Sequence, residues 1–171
     1  MPYDKYVDFS DQAVTTLEKD INYLSPIGFR LLIDSLRYPN TQFSVQKAQL
    51  PDISVPTSEF STPQAKLNTP GDKVEYGDFT CSFIVDEYFV NYQEMHDWLI
   101  GLVVEPDSKD IEKYRDMTLL VLDSHNNVSR EIQFYSAFPV SLSNLEFDAA
   151  KTSVEYLTAT VTFKYSYFRL K

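Results

Sequence analysis

The chain has 171 residues, a formal net charge of −10, 43% hydrophobic and 15% aromatic side chains, and four glycines. A single domain of this size hides roughly 70% of the surface its unfolded chain exposes, so it needs no disulfide or metal staple, and the composition excludes a disordered or low-complexity scaffold. The acidic balance, with no dense Lys/Arg cluster, also excludes adhesion to nucleic acid through phosphate contacts, since there is no counterion release to gain from.

Residues Met1 to Leu24 are polar and acidic. From Gln12 to about Ile21 a thin apolar side (Ala13, Val14, Leu17, Ile21) follows Ser10 and Asp11, either of which caps a short helix. So sparse a helix is marginal alone, and residues 1–24 read as an arm or short helix ahead of a single domain over 25–171. The N-terminus has no apolar run of signal-peptide type and no segment is long enough to cross a bilayer, which leads to the expectation of a soluble protein made in the cytoplasm, with no membrane partner.

After Ser25-Pro26, Phe29, Leu31 and Ile33 alternate with Arg30 and Asp34 as a first core strand. Pro39-Asn40 is a turn signal, and Phe43 to Leu50 is expected to return as the antiparallel partner of that strand. Pro51 to Pro70 contains four of the nine prolines. Proline cannot donate to an interior ladder, so this stretch is an extended excursion or an edge hairpin outside the main sheet.

Between Gly71 and Leu102 one periodicity gives way to another. Phe79, Cys81, Phe83 and Val85 fall on alternate positions against Thr80 and Ser82, the pattern of a half-buried strand. From Asn91, the residues Met95, Trp98, Leu99, Leu102 and Val103 recur at three- and four-residue steps, which predicts an amphipathic helix over about Asn91–Val104. Asn91 is its expected N-cap, with Glu94 reaching back as in a capping box. Cys81, the single cysteine, reads as a small buried hydrophobe.

Glu105 to Asp116 is a charged connection, expected to be solvated. Met117 to Asp123 resumes as a strand, His125-Asn126-Asn127 is a turn in which asparagine tolerates positive φ, and Ser129 to Tyr135 returns. Phe138 to Phe147 alternates weakly and Asp148 to Ser153 forms a loop. Val154 to Phe168 reads as the longest strand, with Leu157, Ala159, Val161, Phe163, Tyr165 and Tyr167 on one face and Thr158, Thr160, Thr162, Lys164 and Ser166 on the other. The fold class is therefore mainly β (α+β): an antiparallel sandwich or barrel with one flanking helix, packed through Met95, Trp98, Leu99 and Leu102.

Little here resembles catalytic machinery. His96 has no partner at metal-ligand spacing, His125 belongs to a turn, and Asp86-Glu87 is explained by its place at a helix N-terminus. There is no phosphate loop, nucleophile elbow or Cys/His grouping. The sequence predicts no catalytic, cofactor-binding or metal residues, and a chain that is not an enzyme.

Four stretches carry a resemblance: VTTLEKDINYLSPIGFRLLI, FSVQKAQLPDISVP, PGDKVEYGDFTCSFIVDE with a helix containing HDWL, and FPVSLSNLEFDAAKTSVEYLTATVTFKYSYF. The order Gly71-Asp72, Asp78 with an aromatic opening a strand, Asp86-Glu87, then a helix with Trp98 is its sharpest part. The chain resembles the tail-tube proteins of contractile, T4-like bacteriophages, including the baseplate tube-initiator and secretion-system tube relatives. That resemblance implies a structural virion protein, assembled in the host cytoplasm, whose six-membered rings stack into a conduit for DNA. It implies as partners further copies of the chain, the tail sheath, and baseplate or tail terminator proteins, with DNA passing through unbound. The expected lumen face is Thr158, Thr160, Thr162, Lys164 and Ser166. Lys164 departs from an acidic wall, so it requires a neutralising neighbour if that face lines the channel. The expected ring-stacking loop comprises Pro51, Asp52, Val55, Pro56, Glu59, Phe60 and Pro63, with the N-terminal arm as a second contact. A monomeric β-barrel holding a ligand in its interior is the competing reading.

Overall fold

The computed structural model describes residues 23–33, 41, 44–61, 65–104, 113–150, 152 and 155–171. The expected helix over Gln12–Ile21, the turn at Pro39-Asn40 and most of the charged connection after Val104 lie outside these residues.

The described elements are β1 (Phe29–Leu32), β2 (Val45–Gln49), β3 (Ile53–Ser54), β4 (Thr57–Ser61), β5 (Lys66–Pro70), β6 (Glu75–Tyr76), β7 (Phe79–Ile84), α1 (Val90–Val104), β8 (Arg115–Leu122), β9 (Val128–Leu142), β10 (Thr158–Lys164) and β11 (Tyr167–Leu170). They form a mainly β, antiparallel fold with one long helix, as the alternation predicts. The main sheet runs β1-β8-β9-β10-β7-β2, with β11 also paired to β9.

The long strand β9 belongs to both halves of this sheet. Its first part pairs with β8 and β11, and its last part pairs with β10. The bend between them has a local cause: Ser136 takes a positive φ of 54°, and the pairing with β8 slips between Arg115 and Met117. One extra residue on β9 is a bulge, which turns the strand and increases its twist. Ser136 N–H is satisfied by Asp116 Oδ1 at 3.0 Å. Pro139 sits beside a second slip, opposite Phe163, an irregularity of the kind at which strands accommodate proline.

The core lies between the two halves and under α1. Phe79, Cys81 and Phe83 from β7 meet Ala159, Val161 and Phe163 from β10, Met117 and Leu119 from β8, and Ile132 and Phe134 from β9, all buried. Ring centroids of Phe79 and Phe134 are 4.7 Å apart, and Trp98 of α1 lies 5.8 Å from Phe163. Each such aromatic or aliphatic burial contributes on the order of 1.5–3 kcal/mol. Met95, Trp98 and Gly101 are the buried face of α1, while Leu99 and Leu102 are half-buried. Val103, counted on that face from its spacing, is exposed.

Four expectations are corrected. The strand β2 pairs with β7 and β1 pairs with β8, so the first two strands are not a hairpin. Arg115, expected on a solvated connection, is buried at the start of β8. The run Val154–Phe168 is two strands: β10 ends at Lys164, the chain turns a corner at Tyr165-Ser166, and β11 joins the other half of the sheet. The corner is held by Ser166 N–H donating to Tyr135 O at 2.9 Å and Tyr165 Oη–H donating to Gly77 O at 2.8 Å. Burial, then the nearby Asp78 and Asp52 carboxylates and Tyr76, push the Tyr165 phenol up to about 12, so it stays a donor.

The helix cap differs too. Asn91 is inside α1, and Asp86 Oδ1 accepts the Val90 N–H at 2.7 Å in the capping role. Phe89, at φ 65°, makes the tight turn that starts the helix one residue early. Asn91 is fully buried; its Nδ2 donates to Ile84 O at 2.7 Å and its Oδ1 accepts from Asp86 N–H at 3.2 Å. Glu94 Oε2 accepts instead from Thr41 N–H at 3.1 Å and lies 2.8 Å from Thr41 Oγ1.

Candidate assembly surfaces

Side chains at alternate positions of β10 point to opposite faces, so the burial of Ala159, Val161 and Phe163 obliges Thr158, Thr160, Thr162 and Lys164 to share the outer face. The register extends this face across neighbouring strands: Ser141, Thr162, Thr80 and Gln49 lie in one row, and Thr160, Ser82 and Lys47 in the next. Ser82 Oγ and Thr160 Oγ1 are 2.9 Å apart, and Ser143 Oγ accepts the Thr160 N–H at 2.9 Å. Ser166, expected on this face, lies past the end of β10 at the corner and is not part of it. Lys164 has an acidic neighbour: Nζ is 3.6 Å from Asp78 Oδ1. Both groups are half-exposed, so the pair offsets charge more than it stabilises, at about 0–1 kcal/mol.

The excursion after Pro51 is a hairpin with two short ladders, β3 with β6 at its base and β4 with β5 beyond. Its neck is narrow: Gly71 N–H donates to Pro56 O at 2.7 Å, and Gly77 N–H to Asp52 O at 3.0 Å. Every residue of β4 and β5 is exposed. Phe60 and Leu67 are directly opposite each other and remain 67% and 56% exposed. A cross-strand apolar pair in water is a cost unless something covers it. Of the expected contact residues, Asp52, Val55, Pro56, Glu59 and Phe60 are exposed on this hairpin, with Glu59 3.7 Å from Lys66. Pro51 is buried instead, and Pro63 lies outside the described residues.

Among the described residues the sheet has edges without a partner strand. β1 and β2 stand at the two ends of the strand order, and β11 borders only β9. Unpaired edges are sites of association unless blunted or covered. The histidines add no chemistry: His96 Nδ1 is 3.1 Å from Asp97 Oδ1 on the exposed side of α1, a contact that helical divergence of neighbours does not anticipate, and His125 lies in the β8–β9 turn. Among the described residues no group of three or more His, Cys, Asp or Glu could hold a metal ion.

The fold, an antiparallel sheet bent over a helix-covered core, is similar to that of chains from contractile injection systems. The chain aligns over 93% of its length with the tube-terminating cap of the anti-feeding prophage (TM-score 0.68, 19% identity, 98% of that chain). It aligns over 88% with the sheath/tube terminator of the PVC extracellular contractile injection system in its extended state (TM-score 0.67, 19% identity, 99% of that chain). No family model matches the sequence. In sequence, the chain is 27% identical over 135 residues to the tail tube terminator protein of Enterobacteria phage T4, covering 75% of this chain and 77% of that one. These relatives are structural proteins, not enzymes, in agreement with the reading of this chain as non-catalytic.

Proposed function

We propose that the chain is a structural, ring-forming component of the tube of a contractile phage tail, and that its place is the terminating end of that tube. The sequence reading put it in the body of the tube. What supports the end of the tube is the sequence relative, a tail tube terminator, 77% of whose length is covered by the match. In this reading, the hydroxyl-bearing face of β10 and β7, continued by Lys47 and Gln49 of β2, turns to the channel, where it offers DNA weak hydrogen-bonding partners and the charge of Lys164 is offset by Asp78. The open edges are closed by neighbours in the ring, and the β4–β5 hairpin reaches an adjoining ring or cap.

The ligand-binding barrel is disfavoured by the packed interior: Phe79, Phe83, Phe134, Phe163 and Trp98 fill the space between the sheet halves at no more than 1% exposure. The test is the solution mass by light scattering, followed by imaging of the protein mixed with growing tail tubes. Rings of about six chains found at one end of tubes that stop lengthening support the proposal. Long tubes made of this chain alone return it to the body of the tube, and a monomer that never associates overturns both.

A further inference from the structure

The root of the projecting hairpin is held from the side by a distant part of the chain. Tyr76 of β6 meets Phe168 of β11 edge-on, with ring centroids 5.6 Å apart, and lies 6.1 Å from Tyr165 at the corner between β10 and β11. Tyr165 and Phe168 pack in turn on Phe134, at 5.0 and 5.6 Å, and Phe134 packs on Phe79 at 4.7 Å. Exposure falls along this series, from 37% at Tyr76 through the half-buried Tyr165 and Phe168 to none at Phe134 and Phe79. A hydrogen bond runs beside the rings: Tyr165 Oη–H donates to Gly77 O, the carbonyl next after β6. Every residue of β3, β4 and β5 beyond this root is exposed. Among the described residues, β11 borders only β9.

We propose that Tyr76, Tyr165 and Phe168 form a latch that couples the hairpin to the edge strand β11, so that the two are held or released together. A two-stranded ribbon joined to its domain by a narrow neck has no fixed direction of its own. Here the direction is set by Tyr76 lying against the two side chains that bracket the corner. Swinging the hairpin away uncovers Phe168 and takes the acceptor from the Tyr165 hydroxyl in the same movement, and a half-buried donor without a partner is unfavourable. Lifting β11 from β9 carries Phe168 off Tyr76, with the same result at the other end. Intermediate arrangements lose contacts without regaining water, which makes the latch cooperative. By linkage, whatever fixes the hairpin steadies the pairing of β11 with β9, and whatever fixes β11 steadies the hairpin to the same extent. The inference goes beyond the ring reading and holds for the free chain.

Amide hydrogen exchange of the full chain tests it. The hairpin is read at Gly71 and Gly77, whose N–H groups donate to Pro56 O and Asp52 O, and β11 at Ser166 and Lys171, whose N–H groups donate to Tyr135 O and Glu131 O. Tyr76→Ala, a change outside the buried core, should speed exchange about tenfold at all four amides while those of β7 keep the parent rates. Phe168→Ala, made on the other side of the latch, should do the same to Gly71 and Gly77, and the double variant should add little to either single one. Tyr165→Phe keeps the ring and removes only the hydroxyl, so it should give a smaller acceleration, about threefold, at both ends. Faster hairpin exchange in Tyr76→Ala with parent rates at Ser166 and Lys171 overturns the coupling. Effects of the two alanine changes that simply multiply overturn it as well. Equal acceleration in β7 assigns the change to global unfolding and refutes the latch.

Discussion

Asn91→Ala removes two hydrogen bonds at the joint between β7 and α1. The side chain is fully buried and bridges Ile84 O and Asp86 N–H, so truncation leaves a carbonyl and an amide without their partner in a half-buried region. A net hydrogen bond contributes about 1 kcal/mol, and stranding a buried polar group costs about 1–3 kcal/mol. With the partial exposure of Ile84 and Asp86, the expected loss is about 3 kcal/mol. For a chain of this length that lowers Tm by roughly 6–12 °C at about 2–4 °C per kcal/mol. Urea unfolding followed by far-UV circular dichroism measures it, provided the dependence on urea keeps its slope. Asn91→Asp is the discriminating control. It keeps the acceptor for Asp86 N–H, loses the donor to Ile84 O and buries a carboxylate, so it should be at least as unstable as the alanine variant. A loss under about 1 kcal/mol for alanine, or an aspartate variant as stable as the parent, would refute the reasoning.

Three further outcomes are expected. Burial holds the Cys81 thiol up at about 12 against an ordinary 9.0, so the folded protein should resist alkylation at pH 8.5 and react only as fast as it unfolds; the same shift leaves stability unaffected below about pH 9 and erodes it from there toward 12, where only the unfolded chain ionises. The Asp123 carboxyl is held below its ordinary 3.8 by the backbone N–H groups of Asn127 and His125, so its stabilisation of the β8–β9 turn is present above that value and lost as pH falls through the lower folded one. Asp123→Ala should therefore differ from the parent at pH 6 and converge with it in acid, and a gap unchanged down to pH 2 would contradict this. A Cβ at Gly71 would come 2.6 Å from Pro56 O, so Gly71→Ala should open the hairpin neck and speed limited proteolysis of residues 57–70, with little change in global unfolding; unchanged cleavage would show that the neck is not tight.

The residue pattern determined the character of most elements and little of their pairing. Alternation located β7 and the faces of β10, the three- and four-residue steps located α1, and Asn126 marked the β8–β9 turn, where it does take a positive φ of 63°. These features are local: which side of a strand or helix is apolar depends on neighbours two to four residues away. The residues that share each candidate surface were legible to the same extent. Thr158, Thr160, Thr162 and Lys164 share a face because their alternates are buried, and the prolines marked the hairpin as standing outside the main sheet. Tertiary structure decided the rest. That β1 joins β8 and β2 joins β7 depends on contacts between residues far apart in the chain, on which local periodicity is silent. The corner at Ser166 interrupts a run whose alternation continues through it, because the chain must pass from one half of the sheet to the other, and β11 finds its partner in β9. The conversion of Asn91 from expected cap to buried bridge has the same origin: its hydrogen-bonding groups are spent on Ile84 and Asp86, which only the folding of α1 back against the end of β7 brings within reach.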